Sequence, residues 1–543
     1  MKRFKLLSIL LILLFLFSAC GSPKPGLYQG TDEMPWWNDV VFYEIFVRSF
    51  FDSDGDGIGD FNGLTEKLDY LNDGDPETDT DLGISGIWLM PIFPSPSYHG
   101  YDVTDYYSIN PDYGTREDFD RFLEEAHKRG IHVVIDLVLN HTSDKHPWFK
   151  DSRKGPDSEY RDWYIWSDEK PEYKGPWRQS VWYPYRGSYY YGIFESFMPD
   201  LNYLNPEVTA EMNEITRFWL EDVGVDGFRL DAAKHLIENG SQQENTPATH
   251  NWYENFRPAY KEINPDALVI GEVFDSNTSV VKAYTENELD LIFHFGLAYG
   301  YMNSTRSNSA LPALGELYKA AKTLPEMQYA AFLTNHDQNR VMSQLEGNIN
   351  KSKVAASLLL TSPGVPFVYY GEELGMMGQK PDEVIRRPMQ WSAEAQAGFT
   401  TGSPWRDPDH NYSFVNVVVE NENPDSLLNH YRRLIQFRND HPALRIGAYH
   451  LVKTREGKLY ASLRIATEEN LLVLINTSNV AISEYKLALD ETGLLAGEYQ
   501  LRSLLGPALE LGLELDDAGG FSITPDFEVT PYTTLILELK PVE

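Results

Sequence analysis

The chain has 543 residues, with 81 acidic against 46 basic side chains and a formal charge of −35. A field of that sign repels phosphate and argues against a nucleic-acid partner. The length suits one large domain with one or two smaller ones, and the single cysteine, Cys20, leaves no disulfide framework.

Lys2, Arg3 and Lys5 precede the apolar run Leu6–Phe17, and Ser18-Ala19 lead into Cys20. A charged start, a short apolar run and small residues describe a secretory signal peptide over residues 1–19. The run is too short for an ordinary transmembrane helix. The cysteine at the cleavage point resembles a bacterial lipoprotein signal, although Phe17 stands where such signals usually carry Leu. That resemblance implies a lipidated Cys20, an extracytoplasmic address and membrane attachment through the lipid alone. The alternative is a soluble secreted protein with an incidental cysteine. Residues 20–36, with SPKPGLYQG, read as a tether.

From Trp37 onward, strand-like and helix-like segments alternate. Candidate strands are Val40–Phe46, Gly86–Met90, His132–Leu139, Gly227–Leu230, Leu268–Val273, Leu289–Phe295, Ala330–Thr334 and Val365–Tyr370. Amphipathic stretches such as Arg116–Arg129 and Glu207–Val223 lie between them. Alternation of this kind predicts parallel βαβ units, and eight strands predict a closed (β/α)₈ barrel, class α/β. Residues 37–140 and 206–445 form the expected barrel. Residues 141–205 are too long for a βα loop and dense in Trp and Tyr, which predicts an inserted domain after the third strand. Past residue 446 the helical pattern stops. Leu451–Lys453, Leu459–Arg464, Leu471–Asn476 and Thr533–Leu539 predict an antiparallel C-terminal β-sandwich over 446–543. A monomer is expected.

Four apolar runs end in polar clusters: Ile135–His141 (IDLVLNH), Gly227–His235 (GFRLDAAKH), Val269–Val273 (VIGEV) and Phe332–Asp337 (FLTNHD). If each run is a barrel strand, its cluster lies at the strand's carboxyl end, the face that carries active sites. Asp231, Glu272 and Asp337 then share one pocket with Arg229, His141 and His336. Arg229 and Asp231 are two residues apart and share a strand face. The guanidinium favours an ionised Asp231, as a nucleophile requires, while the apolar setting of Glu272 raises its pKa and suits an acid. Such a carboxyl pair is what glycoside hydrolysis needs. Metal-assisted hydrolysis is the competing chemistry, but no HExxH or other close His pairing supports it. Strand-end caps would explain any one cluster but not four.

These segments closely resemble the four signatures of the α-amylase family, glycoside hydrolase family 13, in order. His99–Tyr106 (HGYDVTDY), Met198–Asn202 (MPDLN) and Gly371–Met376 (GEELGM) add to the match, which spans roughly residues 37–450. The resemblance implies Asp231 as nucleophile, Glu272 as acid/base and Asp337 as transition-state stabiliser. It also implies Tyr101, Asp102, Asp136, His141, Arg229 and His336 around the cleaved sugar, and Lys234 and His235 on the leaving side. It implies retention through a covalent glycosyl-enzyme, with the reacting carboxyls about 5–5.5 Å apart. Lys234-His235, Ala232 and MPDLN resemble an intermediate type of α-amylase acting on α-1,4-glucans. An exo-acting α-glucosidase, an oligo-1,6-glucosidase, a transglycosylase and a silent glucan-binding lipoprotein are the rivals. The segment Gly378–Trp391 borders the expected site, without individual assignments.

Asp52–Asp60 (DSDGDGIGD) offers alternate carboxylates, and Gly57 permits a tight turn: a calcium pattern in its own right. It is not an EF-hand, since the twelfth position is Gly63 and no entering helix precedes it. The resemblance implies one Ca²⁺ held by Asp52, Asp54, Asp56, Asp60 and the Ile58 carbonyl. A second implied site comprises Asn140, Asp200 and the His235 carbonyl.

Overall fold

The structure, a computed structural model, describes residues 34–542. The expected signal segment, and the tether up to residue 33, lie outside the described residues. No helix among the described residues is long and apolar enough to cross a membrane.

Eight parallel strands close into a barrel in chain order. They are β1 (Phe42–Ile45), β2 (Gly86–Leu89), β3 (His132–Leu137), β4 (Gly227–Leu230), β5 (Leu268–Gly271), β6 (Leu291–Phe293), β7 (Tyr329–Phe332) and β8 (Val365–Tyr369). All eight fall within, or one residue from, the segments expected from sequence. The interior is filled by alternate residues, among them Phe42, Trp88, Val134, Leu268, Ile270, Phe293 and Phe367. Phe42 stacks on Phe367 with centroids 4.4 Å apart. A Cβ at Gly86 would fall 2.6 Å from the Phe42 ring, so β2 starts with the one residue that leaves that ring room.

The helices are bounded by local chemistry. Arg116–Lys128 starts in a reciprocal capping box between Thr115 and Asp118 and buries Phe119, Phe122, Leu123 and Ala126. Pro206–Arg217 continues into a π-helical turn, Phe218–Val223, that Gly224 ends at φ +89°.

Between β3 and β4, a three-stranded sheet of Trp166–Ser167, Ser188–Tyr191 and Trp182–Tyr185 carries most of the rings. Trp163, Trp182, Tyr190 and Tyr191 are buried there, whereas Trp177 is exposed. Beyond residue 446 lie a six-stranded antiparallel sheet and a two-stranded one. Four of their strands, Leu487–Leu489, Gly497–Leu505, Glu510–Leu515 and Phe521–Ile523, were not expected from sequence. Two buried arginines meet at the carboxyl end of helix Ile349–Thr361, and one of them, Arg464, ties this region to it. Arg438 donates to the carbonyls of Leu360 and Ser362, and Arg464 to those of Thr361 and Gly447. Cations there complement the helix dipole.

Candidate active site

The alternation that packs the barrel with apolar groups delivers charged ones at its rim. Glu44 follows Phe42 by two residues, Asp136 follows Val134, and Glu272 follows Ile270, so each polar member points inward above an apolar one. The ladders run one residue past the strands: Glu272 N–H donates to Leu230 O at 3.0 Å and Asp231 N–H to Leu137 O at 3.4 Å. Asp231 and Glu272 therefore follow the paired residues Leu230 and Gly271. Ala232 then adopts φ +51°, unusual for a residue with a Cβ, and its N–H donates to Glu272 Oε2 at 3.1 Å.

Arg229 organises one wall. Its Nη1 lies 2.7 Å from both Asp136 Oδ1 and Asp231 Oδ1, and its Nη2 lies 2.9 Å from Glu272 Oε2. Asp136 and Arg229 are register partners on β3 and β4, which fixes that pair. The facing wall carries Asp337, whose Oδ1 accepts from Arg386 Nη2 at 2.8 Å and whose Oδ2 lies 3.3 Å from His336 Nε2. The Asp337 side chain is 43% exposed to the cleft, against 14% for Asp231.

The remaining sugar-site residues expected from sequence converge here as well. Tyr101 Oη lies 2.7 Å from His336 Nε2 and 3.2 Å from Asp136 Oδ2. Asp102 is buried and accepts from the hydroxyls of Ser95, Ser97 and Ser143. His141 packs its Nδ1 against Asn140 Oδ1 and leaves Nε2 without a protein partner. Lys234 pairs with Glu244 at 2.7 Å, and with His235 it lines the mouth of the cleft.

Burial raises both Asp231 and Glu272, and the Arg229 charge opposes that rise at each. Burial also pushes Asp136 up to about 7, against the pull of Arg229. Desolvation would raise Asp337 too, but His336 and Arg386 outweigh it and hold this carboxyl well below the usual range. Burial lowers His141 and His235 to about 4, so both are neutral. A site with one firmly ionised carboxylate and three whose pKa values lie above the ordinary range can hold negative charge and a transferable proton together.

A cleft of about 470 Å³ opens outward from Glu272 and Asp337. Its lining was largely missed in the sequence. Phe194 and Trp177, from the segment between β3 and β4, line it together with Phe274 from the loop after β5 and with Phe295 and Tyr299 from the helix after β6, Phe295–Ser307. Nothing local distinguishes Trp177, Phe274 and Tyr299 from core rings; only their exposure in the folded chain does. Arg386 was missed for a similar reason, since RRPMQW presents two adjacent arginines and only the fold turns one toward Asp337.

The carboxylates of Asp52, Asp54 and Asp60 offer oxygens within 4.8 Å of one another, a hard donor set that fits Ca²⁺. Asp52 also shapes the loop, accepting from the N–H groups of Asp54, Gly55 and Gly57 and from Thr400. Asp56 stands outside this group, and its Oδ1 accepts from Ile58 N–H. Gly57 sits at φ +97° against the Ser403 carbonyl, 1.9 Å from where a Cβ would be. Asn140, Asp200 and the His235 carbonyl also meet, but through the Asn140 amide nitrogen, which donates to Asp200 Oδ2 at 3.4 Å and to His235 O at 2.8 Å. A cation there requires that amide to turn and present its oxygen.

A family model described as the alpha-amylase catalytic domain matches residues 44–447. Alpha-amylase 3 of Dictyoglomus thermophilum is 42% identical over 454 residues, covering 82% of this chain and 86% of that protein. The trehalose synthase/amylase TreS of Mycobacterium tuberculosis is 36% identical over 473 residues, covering 76% of this chain and 77% of that protein. The crystal structure of an alpha-amylase from H. orenii superposes with a TM-score of 0.80 at 43% identity, covering 92% of this chain and 99% of that one. The chain belongs to the α-amylase family of glycoside hydrolases, family 13.

Proposed function

We propose that this glycoside hydrolase cleaves α-1,4-glucosidic bonds of starch and maltodextrins with retention of configuration. The observation that carries the reading is the single Arg229 guanidinium bonded to both Asp231 and Glu272, with Asp337 ionised on the facing wall. Asp231 attacks the anomeric carbon while Glu272 gives its proton to the departing oxygen, leaving a glycosyl ester on Asp231. Asp337 stabilises the positive charge that develops on the sugar. Water, deprotonated by Glu272, then releases the sugar and restores both carboxyls. His141 Nε2, without a protein partner, and the buried Asp102 are the groups that would bind the cleaved sugar's hydroxyls. Calcium held by Asp52, Asp54 and Asp60 would pin the loop after β1 and takes no part in these steps.

Transfer to a sugar acceptor is the second reading. It is favoured by the rings of Trp177, Phe274 and Tyr299 lining the leaving side, where a sugar could dock in place of water. A time course on maltoheptaose, isomaltose, panose and maltose tests both. An early spread of short maltooligosaccharides with isomaltose untouched supports endo-acting α-1,4 hydrolysis. Glucose from the start or cleaved isomaltose points to an exo-acting α-glucosidase, and trehalose or longer products from maltose point to transfer. No product from any substrate overturns the enzyme reading in favour of a silent glucan-binding protein. We also propose anchoring outside a bacterial cell through lipid on Cys20; failure of Cys20→Ser to abolish labelled-palmitate incorporation would refute it.

A further inference from the structure

Glu44, the third residue of β1, is buried inside the barrel and is not among the residues lining the cleft. A carboxylate in that position needs a partner. Its partner is His336: Glu44 Oε1 stands 2.5 Å from Nδ1 of the ring and 3.4 Å from the backbone nitrogen of the same residue. The opposite ring nitrogen, Nε2, lies 2.7 Å from Tyr101 Oη and 3.3 Å from Asp337 Oδ2. Tyr101 Oη is in turn 3.2 Å from Asp136 Oδ2. Nδ1 faces the Glu44 carboxylate and Nε2 the Asp337 carboxylate; with the Tyr101 hydrogen directed to Asp136, a doubly protonated imidazole satisfies every one of these contacts. Tyr101, having accepted from His336, has its own hydrogen left for Asp136.

We propose that Glu44 is a positioning residue for the cleavage reaction: from behind the site it holds His336 doubly protonated and sets the direction of the hydrogen bonds from His336 through Tyr101 to Asp136. Its consequence for catalysis rests on the proposed hydrolysis; the geometry does not. The other groups facing the ring agree with the assignment. Asp337 presents negative charge to it, as do Asp136 and Asp231 when ionised, while Arg386 spends its Nε–H on the His336 carbonyl. Tyr369 on β8 is the register partner of Glu44 and feels its charge. Burial works against the charged ring, but Asp337 and Glu44 together outweigh it and raise His336 to about 10. Asp337, the larger influence, is 43% exposed to the cleft, whereas Glu44 is buried and stays beside the ring whatever occupies the site.

The test is ¹⁵N NMR of histidine-labelled protein from about pH 6 to pH 10, with pH–rate profiles recorded in parallel for wild type and Glu44→Gln. The glutamine amide can still accept from Nδ1–H but carries no charge. We expect both His336 nitrogens to stay protonated beyond about pH 9 in wild type. In Glu44→Gln the His336 titration should move down by a pH unit or more. A neutral His336 at neutral pH in wild type overturns the proposal, whether or not the protein cleaves glucans. So does a Glu44→Gln enzyme that is slower at every pH with an unshifted His336. If Glu44→Gln does not fold, the wild-type spectrum alone decides. A charged His336 in a protein that cleaves no glucan refutes the hydrolase reading and leaves Glu44 as the holder of His336.

Discussion

Arg229 Nη1 donates to Asp231 Oδ1 at 2.7 Å while Nη2 of the same guanidinium lies 2.9 Å from Glu272 Oε2. One planar cation therefore sets both the spacing and the charge of the two carboxyls for which different roles are proposed. Lysine offers a point charge without the fork and cannot bond Asp136, Asp231 and Glu272 together. Arg229→Lys should lower kcat/KM by at least about 100-fold. Burial raises the Asp231 pKa and the guanidinium opposes that rise, so weakening the contact leaves less Asp231 ionised at a given pH. The acid limb of kcat/KM should move to higher pH by about a unit. An unmoved acid limb in a folded Arg229→Lys enzyme would mean that Asp231 is kept ionised by something else.

Glu272 is raised by burial, so activity should fall as pH rises through its pKa and the acid loses its proton. Glu272→Gln removes the proton donor but keeps the shape and a carbonyl oxygen for Ala232 N–H. Its kcat on maltooligosaccharides should drop about 1,000-fold or more. Aryl glycosides with a nitrophenolate leaving group need little protonation, so the bond-breaking step should survive far better on them and added azide should accelerate turnover. Asp231→Asn should be nearly inactive on both substrates and insensitive to azide. Equal losses for Glu272→Gln on both substrates would remove it from the acid role.

The barrel and the polar centre of its site were legible because they share a cause. A strand buried on both faces must read as an apolar run, and a polar residue that ends such a run stands out. Asp231, Glu272 and Asp337 announce themselves in this way, with Arg229 placed by the period of two. The cleft lining had no such signal. Trp177 and Trp182 are five residues apart in one ring-rich segment, yet Trp182 is buried and Trp177 is 53% exposed at the cleft. The difference is decided by a sheet closed through non-local contacts. The missed C-terminal strands fail differently. Gly497–Leu505 (GEYQLRSLL) alternates Tyr499 and Leu501 inward with charged or polar residues outward, a half-buried strand whose polar face resembles a loop.

Glu372 lies outside the reaction but sets a pH dependence of stability. Its Oε1 accepts from Tyr431 Oη at 2.8 Å, and burial pushes its pKa up to about 8. The folded protein therefore binds a proton at Glu372 that the unfolded chain releases above about pH 4.3. Stability from this group is fully present below that pH and falls as pH rises toward 8. Glu372→Gln keeps the acceptor for Tyr431 and removes the ionisation. It should raise stability at pH 8 by roughly 1–4 kcal/mol and have little effect at pH 4, read from urea unfolding at the two pH values. A variant no more stable than wild type at pH 8 would show that Glu372 is ionised in the folded state.

Calcium binding can be tested on Asp54 without dismantling the loop. Asp52 and Asp60 serve the backbone as well as any cation: Asp52 accepts from three N–H groups, and Asp60 caps helix Phe61–Glu66 through Gly63 N–H. Their removal would destabilise the chain with or without metal. Asp54 is exposed, and its carboxylate accepts from the neighbouring Asp56 N–H. If Ca²⁺ binds the folded state alone, a hundredfold excess over its Kd adds about 2.7 kcal/mol. Thermal melts in chelator and in millimolar Ca²⁺ should therefore differ by a few degrees for wild type. Asp54→Ala should melt near wild type in chelator and lose most of the calcium response. Because no residue of this loop lines the cleft, the initial kcat of Asp54→Ala at low temperature should stay within about twofold of wild type. A wild-type melt indifferent to Ca²⁺ and chelator would mean that Asp52, Asp54 and Asp60 form a loop braced by its own hydrogen bonds, with no cation in it.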